Sequence, residues 1–204
     1  MTSDMRLRVS AVLAALLFSV GYLVVLMVPG GGDVTDRDFT DFYDSDDRIF
    51  VSFLLYVVLL AAAWSIVWFF AEVKARLRDD LLSQAALAIA LLGCGGLVIG
   101  GALLGAPGGV QMNSDAGFVG IPIAHTFAQA GLGVMLVVGM YSLALATALV
   151  SVAARRDALV PSWLSIAGIV IAVLMIGSFI WLPGYVFPLW ILTFGLFVRS
   201  GARG

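Results

Sequence analysis

Charged side chains are scarce in this sequence. Asp, Glu, Lys and Arg make up 12% of its 204 residues, whereas apolar residues make up 62%. A typical soluble domain carries about 25% charged and about 45–50% apolar residues. A soluble fold of this size would have too little polar surface to cover the apolar excess. We therefore expect a protein whose solvent is a lipid bilayer, and the same balance excludes a disordered chain.

Histidine, cysteine and an excess of positive charge are also lacking. The chain has one His, one Cys and a net charge of −2. A single Cys excludes a disulfide scaffold, and one His supplies neither a three-histidine zinc site nor both axial ligands of a haem. Without a basic stripe, nucleic acid is not an expected partner. The sequence predicts no metal and no cofactor.

Long uncharged runs take the place of these features. A membrane span needs about 20 mostly apolar residues. The runs predict six spans, with a turn at Pro183-Gly184 between the last two, over about residues 9–28, 49–71, 81–106, 121–150, 161–182 and 185–198. The last span is short, so five spans are the alternative. Backbone groups in lipid must bond within their own segment. The predicted fold class is therefore all-α, a polytopic transmembrane helical bundle forming a single domain.

The basic residues fall on one side of the predicted bundle. Of 11 Lys and Arg, only Arg37 and Arg48 lie on the other side. Basic residues near span ends favour the cytoplasmic face. We therefore predict a multi-pass protein of the cytoplasmic membrane with both termini in the cytoplasm, which also favours an even number of spans. The first span is predicted to be an anchor, because its apolar run exceeds the 7–15 residues of a typical signal-peptide core.

The loop before the second predicted span is acidic. Carboxylates are calcium ligands, so weak cation binding is one interpretation, although the spacing does not match an EF-hand loop. The alternative is a solvated outer loop. Phe39, Phe42 and Tyr43 recur at helical spacing and predict a short amphipathic segment on the outer surface. The candidate ligands are Asp33, Asp36, Asp38, Asp41, Asp44, Asp46 and Asp47.

Polar side chains are few within the predicted spans. His125 lies near the outer end of predicted span four, Gln129 follows at i+4 on the same helix face, and Ser142 lies further along. These residues are candidates for lining a polar cavity or for bonding a neighbouring helix. Ser178 and His125 can be drawn as a catalytic dyad, but no third group orients them. No catalytic residue is predicted.

Glycine is abundant in the third predicted span. Gly96 and Gly100 form one G-x-x-x-G pair, and Gly101 and Gly105 form another. Small residues four apart let helix backbones approach closely. The pattern predicts tight packing of spans three and four on each other or across a dimer, with a homo-oligomer or a partner membrane protein as the candidate assembly. A flexible, broken helix of transporter type is the alternative.

The order of these features resembles a group of uncharacterised bacterial multi-span membrane proteins filed as domains of unknown function. Three segments carry the resemblance: Phe42-Tyr43-Asp44-Ser45-Asp46, the stretch from Trp68-Phe69-Phe70 to Lys74-Ala75-Arg76-Leu77, and Leu159-Val160-Pro161-Ser162-Trp163-Leu164. The resemblance implies a compact helical bundle. It implies no activity and no catalytic residue.

The absence of acidic residues from the predicted spans and the glycine pairs favour a non-enzymatic role. We expect an accessory or assembly protein of the membrane. The alternative is a small transporter or channel built from two three-span halves, and a second alternative is an intramembrane enzyme.

Overall fold

A computed structural model of the chain describes residues 2–29, 35–43, 46–113, 120–177 and 182–198. Every regular element in these ranges is a helix, and the predicted all-α class is confirmed. The α-helices are α1 (Ser3–Val25), α2 (Asp36–Tyr43), α3 (Asp46–Lys74), α4 (Leu81–Asn113), α5 (Ile121–Gly133), α6 (Tyr141–Arg156), α7 (Ser162–Gly177) and α8 (Leu182–Phe197), and a π-helix, Val134–Met140, joins α5 to α6.

Four helical stretches are long enough and apolar enough to cross a membrane. They are Ser3–Val25, Ile49–Lys74, Leu81–Val110 and Ile121–Arg156. The helices α7 and α8 are apolar but shorter. Large apolar side chains lie exposed on the outside of the bundle, among them Trp64 and Val173 at 69% and 64% exposure. Such extensive exposed apolar surface is typical of a protein surrounded by lipid.

The long helices form a closed ring. In ring order, α1 packs on α3, α3 on α4, α4 on the α5–α6 stretch, α6 on α7, α7 on α8, and α8 on α1. Arg6 near the start of α1 pairs with Glu72 near the end of α3, so these neighbours run in opposite directions. We call the end of the ring that holds this pair the basic end, and the end that carries α2 the acidic end.

Aromatic side chains fill the middle of the ring. The rings of Phe69 and Phe70 on α3 contact Trp190 on α8, with centroids 6.1 and 6.5 Å apart. Because α1 lies between α3 and α8 in the ring, these contacts cross its interior. Phe194 and Phe187 extend the group along α8, and all five side chains are buried. We call these five residues the aromatic core.

The connection between α7 and α8 differs from the sequence prediction. The predicted fifth span runs to residue 182 and the predicted turn lies at Pro183-Gly184, but α7 ends at Gly177 and α8 begins at Leu182. The predicted turn is therefore wrong, because Pro183 and Gly184 lie in the first turn of α8. Proline is favoured there because the first N–H groups of a helix have no intrahelical acceptor to lose.

The connection between α6 and α7 is a tight helix C-cap. The Leu159 N–H donates to the Ala154 carbonyl oxygen at 2.9 Å, and the Ala158 N–H donates to the Arg155 carbonyl oxygen at 3.2 Å. This is the hydrogen-bond pattern of a Schellman motif. Ala158 has φ of 52°, a left-handed conformation that glycine normally occupies at this position.

Candidate functional site

The acidic end is covered by the short helix α2. Its start is fixed by a capping box: the Thr35 hydroxyl and N–H both donate to an Asp38 carboxylate oxygen, at 2.7 and 2.8 Å. The hydrogen bond from the Thr35 side chain holds the pKa of Asp38 below its ordinary value. Arg37 pairs with Asp41 at 3.6 Å one turn apart. Asp38 and Asp41 therefore already have local structural roles.

The aromatic face of α2 packs inward. Phe39, Phe42 and Tyr43 are all buried, and the Phe39 ring lies 4.0 Å from the ring of His125, centroid to centroid. The predicted amphipathic helix is thus present, but its apolar face lies on the protein instead of on the outer surface. We call α2 together with its contact to α5 the cap.

A buried hydroxyl pair lies below the cap. The Tyr43 hydroxyl hydrogen-bonds with Ser52 of α3, and burial raises the pKa of Tyr43 to about 12. Ser52 is fully buried against α4, where its backbone and side chain lie over Gly105 and Gly108. A Cβ at Gly108 would meet the Ser52 Oγ at 3.0 Å. The glycines of α4 therefore make room for Ser52 directly under the cap.

The three polar residues predicted for a common cavity are not brought together. His125 is half-buried under Phe39, whereas Gln129, one turn further along α5, is exposed on the outside of the ring. Ser142 is half-buried on α6, about 20–25 Å from His125 along the same helical stretch. Ser178, the other member of the dyad that can be drawn with His125, lies outside the described residues.

The structure describes the side chains of two of the seven predicted cation ligands. These two, Asp38 and Asp41, are exposed. Asp33 and Asp44 lie outside the described residues, and the side chains of Asp36, Asp46 and Asp47 lie outside them too. Among the described residues, no group of three or more His, Cys, Asp or Glu could hold a metal ion.

The glycines of α4 face two different neighbours. A Cβ at Gly96 would meet the Gly139 nitrogen at 2.5 Å, and a Cβ at Gly100 would meet the Gly131 carbonyl oxygen at 2.6 Å. Gly101 and Gly105 instead lie against Leu59 and Ser52 of α3. The four predicted packing glycines therefore hold α4 between α3 and the α5–α6 stretch, within one chain.

The π-helix lies in the first of these two contacts. Its residues Met135 and Gly139 pack against Gly100 and Gly96 of α4. A π-helix has hydrogen bonds from i to i+5, and it accommodates extra residues within an α-helix. The sequence analysis did not predict it, because the apolar pattern of this segment is the same as that of its neighbours.

Buried polar atoms gather where α6, α7 and α8 meet. Gly168 of α7 lies against the Ser151 hydroxyl and the Trp190 indole, and a Cβ there would meet the indole Nε1 at 2.6 Å. Ser151 Oγ, Ser165 Oγ and Trp190 Nε1 have no hydrogen-bond partner among the described residues. The sequence analysis did not single out these side chains, since isolated Ser and Trp residues form no motif.

The basic end is held by ion pairs between segments. Glu72, which is 11% exposed, pairs with Arg6 at 3.4 Å and Arg76 at 3.1 Å. Asp157 accepts hydrogen bonds from the Arg156 side chain at 2.9 Å and the Arg78 N–H at 2.7 Å. The Arg156 hydrogen bond is the main reason that the pKa of Asp157 lies below its ordinary value. The basic residues thus tie α1 to α3 and the α3–α4 loop to the end of α6.

Comparisons with family models, with curated proteins and with solved structures find no match to this chain. The geometry described above is therefore the basis for the proposals that follow.

Proposed function

We propose that the chain is a six-span protein of the cytoplasmic membrane with both termini in the cytoplasm. Four helices have the length and composition of membrane spans, and α7 and α8 complete the same ring. Both shorter helices are long enough for about 24 Å, which a locally thinned bilayer accommodates. The concentration of Lys and Arg at the basic end supports a cytoplasmic position for that end.

We infer that its role is non-enzymatic, as an accessory or assembly protein. The observation that carries this inference is the aromatic core, which fills the ring where a transport path would run. The described charged side chains lie at the two ends, in capping and ion-pair contacts such as Asp38 with Thr35 and Glu72 with Arg76. A protein of this kind acts through its membrane-facing surface.

A flux assay tests this proposal. The full chain is reconstituted in vesicles of phosphatidylcholine and phosphatidylglycerol that contain a fluorescent reporter of protons or potassium. We expect the rate of ion entry to equal that of protein-free vesicles. An entry rate that rises with the amount of protein, and that is lost in a His125→Ala/Gln129→Ala variant that still inserts, would contradict the non-enzymatic assignment and favour a transporter.

An assembly role also predicts contact with another membrane protein. A photo-crosslinking amino acid at position 64, where Trp64 is 69% exposed, is expected to give a protein adduct of one defined mass in cells. The matched control is position 69 on the same helix, because Phe69 is buried in the aromatic core and should give no such adduct. If the exposed positions around the ring gave lipid adducts alone, the assembly role would be wrong.

A small transporter is the second candidate, and the π-helix is the observation that favours it. Interrupted helices are common in carriers, and π-helical turns are frequent at functional sites. The π-helix here faces the glycines of α4, where two backbones can shift without displacing large side chains. A solute-dependent counterflow in the same vesicles would support this candidate, and its absence across cations, anions and amino acids would remove it.

A further inference from the structure

A groove runs along the outside of the ring between α1 and α8. It has a volume of about 420 Å³ and is lined by side chains from Val12 to Leu23 on α1 and from Gly184 to Leu192 on α8. None of the lining residues is charged. The hydroxyl of Ser19 in its wall donates to the Ala15 carbonyl oxygen at 2.8 Å and so is used within α1. The groove therefore offers an occupant a mainly apolar wall.

Both ends of the groove are closed. Toward the basic end, Gly195 of α8 lies so close to Ala11 of α1 that a Cβ at position 195 would collide with the alanine methyl group. At the acidic end, the rings of Tyr22 and Tyr185 meet edge to face with centroids 5.8 Å apart. The groove is therefore open only to the side, toward the surroundings of the ring.

The length of the groove matches one leaflet of a bilayer. The helix rises about 17 Å from Val12 to Leu23 and about 12 Å from Gly184 to Leu192. The hydrocarbon region of a bilayer is about 30 Å thick, so the groove spans about half of it. A partner helix that crosses the bilayer would need a groove through both leaflets, but the contact between Gly195 and Ala11 closes the second half.

We propose that this groove is a lipid site, which binds one acyl chain of a phospholipid from the leaflet at the acidic end, with Tyr22 and Tyr185 at the level of the lipid glycerol. Tyrosine rings favour that level because one edge is apolar and the other is polar. A single unbranched hydrocarbon chain matches the lack of charge, the sideways opening and the length of one leaflet. The proposal rests on the proposed placement of α1 and α8 across the bilayer and on no particular activity.

Photo-crosslinking lipids test the site. The full chain is reconstituted in phosphatidylcholine vesicles with a trace of phosphatidylcholine that carries a diazirine in the middle of one acyl chain. Adducts are then located by mass spectrometry at Leu189, which lines the groove, and at Val173 of α7, which is comparably exposed outside it. A bound chain is expected to give about tenfold more adduct at Leu189 than at Val173. Equal yields at the two positions would mean ordinary surrounding lipid only and would overturn the proposal.

A filled groove provides the second measurement. Ser19→Trp places an indole in the groove and is expected to reduce the yield at Leu189 to that at Val173, whereas the control Val173→Trp leaves the yield at Leu189 unchanged. Because both variants carry the same new side chain, an equal yield at Leu189 in both would overturn the site. Thermal unfolding in detergent shows whether each variant remains folded, and the comparison at Leu189 in the wild-type chain does not depend on either variant.

A second copy of the chain is the competing occupant. In a Cys94→Ser background, a Ser19→Cys variant is expected to stay monomeric under oxidising conditions. An efficient disulfide-linked dimer would show that the groove lies between copies and would overturn the lipid site. Failure of the six-span topology is detected separately, by the labelling of the chain termini described at the end of the Discussion.

Discussion

The imidazole ring of His125 lies against the phenyl ring of Phe39, with their centroids 4.0 Å apart and their planes inclined by 37°. This contact joins the short acidic helix α2 to α5, and it uses the only histidine of the chain. The most polar side chain of α5 is thereby placed under the cap, away from the middle of the ring. The cap and the aromatic core together close the bundle, one at its acidic end and the other in its interior.

Removing the Phe39 ring is expected to release the cap. Truncation of a buried Phe to Ala costs about 3–5 kcal/mol in a well-packed site, which exceeds what a helix as short as α2 can supply alone. Phe39→Ala should therefore raise hydrogen exchange of the α2 amides to that of an unfolded segment. Arg37→Ala is the control, because its side chain is 87% exposed on the same helix. Unchanged protection in the Phe39 variant would contradict the docked cap.

Adjacent glycines of α4 should respond oppositely to alanine. A Cβ at Gly96 would meet backbone atoms of the π-helix at 2.5 Å, whereas a Cβ at Gly95 has nothing within 4 Å. We expect Gly96→Ala to destabilise the protein by about 1–3 kcal/mol, as overpacking does. Gly95→Ala should be neutral or stabilising by up to about 1 kcal/mol, because alanine favours helix. The fraction of monodisperse protein after heating in detergent distinguishes them. Equal effects would show that α4 does not contact the π-helix as described.

Ala158 offers a stabilising substitution. Its left-handed φ of 52° costs an L-residue about 1–2 kcal/mol, part of which glycine recovers at the expense of unfolded-state entropy. We expect Ala158→Gly to raise the thermal midpoint by a few degrees. Ala148→Gly within α6 is the control and should lower it, since glycine is unfavourable inside a helix. A lower midpoint for Ala158→Gly would mean that the Schellman motif is not formed.

Acid should loosen the basic end through Asp157. Because hydrogen bonds hold the folded pKa of Asp157 below its ordinary value of about 4, its stabilisation is present above that pH and is lost as the pH falls below it. Asp157→Asn removes the charge at every pH and should cost about 1.5–3 kcal/mol at pH 6. Its loss between pH 5 and pH 3 should then be smaller than that of the wild-type chain. Parallel stability curves for the two proteins would contradict the role of this carboxylate.

The helical class follows from the sequence because long uncharged runs in lipid have few structural options. The boundaries near residues 49, 81 and 121 also follow, since charge or glycine marks them. Local patterns do not decide which neighbour a glycine faces. Gly96 and Gly101 belong to similar motifs, yet one contacts the π-helix and the other contacts Leu59 of α3. That choice depends on the order of helices in the ring.

Other features left no interpretable signal in the sequence. The Pro183-Gly184 pair is compatible with a chain reversal and with a helix start, and only the preceding end of α7 at Gly177 decides between them. The candidate polar cavity depended on His125 and Gln129 sharing one helix face. The structure covers His125 with Phe39 of a distant segment, which no pattern within α5 predicts.

The six-span topology is the central claim, and labelling of the C-terminal tail tests it most directly. A Cys94→Ser/Ser200→Cys variant is treated with a membrane-impermeant maleimide, first on intact cells and then on inside-out membrane vesicles. The proposed topology predicts labelling in the inside-out vesicles and none in intact cells. Labelling of position 200 in intact cells, with a cysteine at position 2 still protected, would give an odd number of spans and would contradict the account.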